Sequence, residues 1–160
     1  MVGSEVSRMA SSMSEPEYEE LKEFLSFYSQ HYMEIDKLPA ASQPLACLEQ
    51  LEQKSRSKAS QGLRQAINDI IEECRRLNQS QLAQLDQRLR SHGVVTLSEL
   101  RRRFAKDYAR ISKRGKINNE TEYYLVRGIV DDSPSNTSAD ERVRLRDMLA
   151  EYEQRVTRAS

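Results

Sequence analysis

The 160-residue chain has no tryptophan, five glycines, four prolines, two cysteines and two histidines. Two cysteines make neither a disulfide framework nor a paired-cysteine metal motif. Cys47 and Cys74 both fall in apolar helical context, so both are expected reduced and partly buried, in a cytoplasmic setting. No apolar run approaches membrane-spanning length, and no membrane partner is expected. The polar start, MVGSEVSRMASSM, does not read as a secretory signal. Residues 1–13 read as a disordered lead-in, with Met13 as a second start.

Histidine is too scarce and too dispersed for catalysis. His31 lies among aromatics and His92 at a helix end, where both suit structural roles. No nucleophile elbow, phosphate loop or zinc-protease helix is present. A four-helix di-metal site would want Glu-x-x-His twice. His31 precedes Glu34 in the reverse order, and the Asp69, Glu72 and Glu73 cluster reads as a solvated face. The expectation is no enzyme, no metal and no cofactor.

Leu, Glu, Arg and Gln, all good helix formers, take the place of the missing Gly and Pro. Apolar residues recur at three and four throughout, which predicts an all-α fold: a compact bundle of six or seven amphipathic helices without a sheet, as one domain over 14–158. The first helix opens on a capping box, Ser14 with Glu17, and is expected to reach about Lys37. It holds five of the ten aromatics, Tyr18, Phe24, Phe27, Tyr28 and Tyr32. One stripe is Tyr18, Leu21, Leu25, Tyr28, Tyr32 and Ile35; a second is Phe24, Phe27 and His31. A helix apolar on two sides is sandwiched or used at an interface. Phe24, Phe27 and His31 are therefore the candidate partner-binding residues, for another protein or a second copy of the chain.

A second helix is expected over 42–56, a third from Gly62 to Leu77, and a fourth from Ser80 to the stop at His92-Gly93. Whether the polar run 54–62 breaks the helix is left open by the sequence. Thr96 with Glu99 is a second capping box. From there TLSELRRRFAKDYARISKRG reads as one uninterrupted helix. Leu97, Leu100, Phe104, Tyr108 and Ile111 share one face, and Arg102, Arg103, Lys106, Arg110 and Lys113 form a basic stripe opposite. Asn118 or Asn119 caps the next helix, whose Tyr123-Tyr124 should put one ring in the core and one at the surface. SPSNT is a loop. Ser138 with Glu141 opens the last helix.

Net charge is zero but unevenly spread. Residues 1–57 hold five Lys/Arg against ten Asp/Glu, 58–116 fourteen against six, and 117–160 six against nine. Neutrality as a whole argues against an obligate polyanion binder, while the basic middle supplies a charged surface. Glu19, Glu20 and Glu23 are candidate partners for that stripe within the chain. The preferred reading is a helical adaptor or regulatory protein that binds another protein or itself. The second is a nucleic-acid binder using helix 97–114 after a turn. The third is an antitoxin or immunity-type inhibitor of a partner enzyme.

Overall fold

A computed structural model describes residues 13–132 and 137–159. The expected lead-in and most of the SPSNT loop lie outside the described residues. Eight α-helices and no strand occur among the described residues, so the chain is all-α. The chain divides into two compact units, one ending at Ile70 and the other beginning at Ile71.

The first unit opens with α1 (Glu15–Tyr32), capped by Ser14 Oγ accepting from Glu17 N at 3.3 Å. The helix stops five residues short of Lys37. Met33 is extended, and Ile35–Lys37 and Ala40–Ser42 are separate 3₁₀ turns. Short turns suit a segment where Pro39 and Pro44 deny donors to a continuous ladder. Then α2 (Pro44–Lys54) packs on α1. Ser55 breaks the chain and accepts from Lys58 N at 3.0 Å, so α3 (Arg56–Glu73) begins well before Gly62. Gly62 is interior to α3, where an added Cβ would meet Leu51 Cδ1 at 2.6 Å. Both stripes of α1 are buried as far as Tyr28: Tyr18, Leu21, Leu25 and Tyr28 on one, Phe24 and Phe27 on the other, while Tyr32 and His31 at their ends are exposed. Phe24 and Tyr28 stack with ring centres 5.9 Å apart, and Tyr28 and Tyr32 at 5.3 Å. At the rim, Glu52 accepts from Tyr18 Oη and from Lys22 Nζ at 2.9 Å, and these two donors hold its carboxyl below the usual range. Cys47 is exposed, against expectation, because it precedes the inward-facing Leu48 by one residue, about 100° round the helix; Cys74 is buried.

In the second unit a 3₁₀ turn, Cys74–Arg76, leads to α4 (Gln79–Ser91). Its cap is a reciprocal box. Asn78 Oδ1 accepts from Gln81 N at 2.8 Å, and Gln81 Oε1 from Asn78 N at 3.0 Å. The anticipated single helix 97–114 is two helices, α5 (Leu97–Phe104) and α6 (Lys106–Arg114). Ala105 parts them with ψ 123°. Neither Pro nor Gly causes the break, and alanine's local preference opposes it. Tertiary packing overrides that preference: α5 lies on α4, while α6 is tied to the last helix by Tyr108 Oη donating to Glu141. Gly115 ends α6 in the left-handed region at φ 76°. Asn119 caps α7 (Glu120–Asp131), which packs against α4, α5, α6 and α8 (Ala139–Ala159). Tyr123 and Tyr124 are both half-buried, so neither ring is core. Tyr123 instead stacks on Tyr152 of α8 with ring centres 5.2 Å apart.

Candidate functional site: the polar frame and basic face of the second unit

The start of α5 is built from two sources. Thr96 Oγ1 accepts from Glu99 N at 3.1 Å, as the capping-box spacing predicts. The first two amides of the helix go to Asp86 on α4: Leu97 N donates to Asp86 Oδ1 at 2.9 Å and Ser98 N at 3.3 Å. Ser98 Oγ donates to Asp86 Oδ2. Asp86 thus caps α5 from outside, placing a carboxylate at the positive end of its dipole. The residue is 5% exposed. Burial pushes its carboxyl up to about 6, outweighing the hydrogen bonds from Ser98 and Leu97, and the nearby Asp132 charge adds to the rise.

Thr96 also donates to Asp132 Oδ2 at 2.7 Å, and Asp132 Oδ1 takes Arg90 Nη2 at 2.8 Å. This chain ties α4, the start of α5 and the end of α7 together. Close approach is required here. A Cβ on Gly128 would lie 2.8 Å from both Leu82 Cδ2 and Ser98 Oγ. Arg101, 4% exposed, reaches the other way. Its Nη2 donates to Cys74 O at 2.7 Å, closing a carbonyl at the end of the preceding helical segment. Its Nε has no partner, and burial holds the guanidinium below the ordinary arginine value.

The basic stripe divides in two. Arg102 donates to both oxygens of Glu99 at 2.8 Å, and Arg103 Nε to Glu99 Oε2 at 2.7 Å. The Glu99 side chain is 3% exposed, so these two arginines neutralise a buried carboxylate. Arg110 pairs with Asp107, which also takes Arg75 Nη2 at 2.9 Å. Glu99 of α5 and Asp107 of α6 thus supply acid to the stripe from its own two helices, and Glu141 of α8 adds its charge near Arg102. Lys106, Arg110 and Lys113 stay exposed on α6, at spacings of four and three along one side. Over 97–114 the chain carries seven Lys/Arg against two Asp/Glu, so a net positive face survives the internal pairing.

Phe24 and Phe27 are 0% and 8% exposed, while His31 is exposed with its ring centre 4.4 Å from that of Phe27. The three candidate partner residues are adjacent, but two of them lie in the core. Among the described residues no three His, Cys, Asp or Glu side chains gather as metal ligands, and no helix is long and apolar enough to cross a membrane.

Asp86 and Arg101 were absent from the residues singled out in the sequence, although a signal existed. Asp86 is four after Leu82 and three before Leu89, and Arg101 is four after Leu97 and seven before Tyr108. Each is a charge standing on the apolar line of its own helix, the place where a buried, partnered charge belongs. Compared with family models, curated proteins and solved structures, the chain matches none.

Proposed function

We propose that this is a non-catalytic, cytoplasmic binding protein that presents the exposed basic side of α6 to an acidic surface of a partner protein. The observation that carries this reading is the survival of Lys106, Arg110 and Lys113 as an exposed cationic row after Arg102 and Arg103 have been taken up by Glu99. A helix already anchored by Tyr108 and Ile111 presents such a row with only side-chain ordering left to occur at the moment of binding. Three neighbouring cations are a small footprint for a nucleic-acid backbone, where affinity grows with the number of phosphates neutralised. The short α5 and α6 also offer few side chains for reading bases.

The test compares wild type with the triple variant Lys106→Glu, Arg110→Glu, Lys113→Glu, its helicity checked by circular dichroism. A partner protein retained by wild type, released by salt and lost by the variant supports the reading. Identical retention by both would end it. A low-salt mobility shift with duplex or single strand, abolished in the same variant, would replace it with nucleic-acid binding.

A further inference from the structure

The exposed side of α6 holds one small neutral residue among its cations. Lys106, Ala109, Arg110 and Lys113 are all exposed, at positions i, i+3, i+4 and i+7 of one helix face. Four residues at that spacing form the hole into which a facing helix inserts a side chain in knobs-into-holes packing. We infer that the acidic surface taken by this row is an amphipathic α-helix of the partner protein. Its carboxylates lie one heptad apart, opposite Lys106 and Lys113, and an aliphatic side chain between them seats on Ala109. The inference rests on the reading of the basic row as a protein-binding surface and adds the shape of the partner.

Three observations carry it. The first is charge. The side chains of Lys106 and Lys113 are in no ion pair or hydrogen bond among the described residues. Arg110, between them, already holds Asp107, although its side chain stays 72% exposed. The unpaired cations are thus the two outer members, seven residues apart. The second is spacing. Seven helical residues rise about 10.5 Å, and a partner helix lying along α6 repeats its carboxylates at that distance. Residues on one face of a strand recur at about 6.7 Å and then about 13 Å, so an extended partner reaches one lysine and misses the other. The third is clearance. Helix axes come within about 8–10 Å where the residue between them is small. Ala109 is the only one of the four positions without a long side chain, and it floors the hole that the three cations rim. Buried Tyr108 and Ile111 fix the opposite side of α6, so the hole is formed before a partner arrives.

The experiment measures binding of stapled helical peptides to the full chain at low salt by fluorescence anisotropy, with the Ala109 amide followed by ¹⁵N NMR. The first peptide carries two glutamates one heptad apart with a leucine between them on the same face. The second has the same composition with the glutamates moved to opposite faces. Poly-glutamate, unfolded at neutral pH, is the third probe. The first peptide is expected to bind at least about fivefold tighter than the second and to shift the Ala109 amide. Ala109→Arg, a good helix former at an exposed position, separates hole from charge because the two predict opposite signs. Filling the hole should weaken the first peptide about tenfold, while the added cation should strengthen poly-glutamate. Equal binding of the two peptides, or tighter binding of the first by Ala109→Arg, would overturn the helix assignment. So would binding of poly-glutamate without binding of the first peptide, which would leave the basic row standing and its partner extended. Failure of all three probes to bind would remove the row together with the helix.

Discussion

The two units hold themselves together by different chemistry. The first buries aromatic and aliphatic side chains, and Ser29 is its one buried polar residue among those described. The second places Asp86, Thr96, Ser98, Glu99 and Arg101 in its interior, all within sixteen residues of chain. The difference follows helix length. The eighteen-residue α1 satisfies most of its own amides and needs one local cap. The eight-residue α5 has almost as many unpaired terminal groups as internal ones, so its neighbours must supply acceptors. Burying charged residues is what that supply requires, and each has its hydrogen bonds except at Arg101 Nε.

The contrast can be broken by mutation. The largest effect is expected from Phe24→Ala, which removes a ring with no exposed surface and leaves a cavity; unfolding in denaturant should show a loss of about 3–5 kcal/mol. That loss should be nearly constant between pH 4 and pH 7, since no titrating group is touched. A loss under 1 kcal/mol would mean that the aromatic core of the first unit is not its main support.

Asp86→Asn should have a different signature. Between about pH 4 and pH 6 the folded protein holds the Asp86 proton and the unfolded chain has released it, so this group's stabilisation is complete below about 4 and falls as pH rises to 6. Wild type should therefore gain roughly 2 kcal/mol relative to Asp86→Asn on acidification from pH 7 to pH 4. A flat difference, or one of opposite sign, would show that the three donors to Asp86 outweigh its burial. The smallest expected effect is that of Gly128→Ala, a loss of about 1–3 kcal/mol from crowding Ser98 and Leu82, less the helix propensity gained. The Ser98 hydroxyl should exchange faster in this variant as its hydrogen bond to Asp86 is strained, and an unchanged rate would argue that Leu82 alone absorbs the methyl group.

The all-α class and most helix starts are written in local sequence. Ser14, Thr96, Asn119 and Ser138 all cap where their spacing to the following residues places them, because a cap is a contact between near neighbours. The stops at Gly93 and Gly115 were equally local, both residues lying at positive φ. Glu99 taking Arg102 and Arg103 is local as well, at i,i+3 and i,i+4. Packing decided where the glutamate of the last box turns: Glu141 takes Tyr108, thirty-three residues away. It also decided the break at Ala105, the burial of the second aromatic stripe of α1, and which charges on the basic helix remain outside. Each depends on what a helix packs against. Periodicity reports which residues share a face; it does not report whether a neighbour covers that face or brings a carboxylate to it.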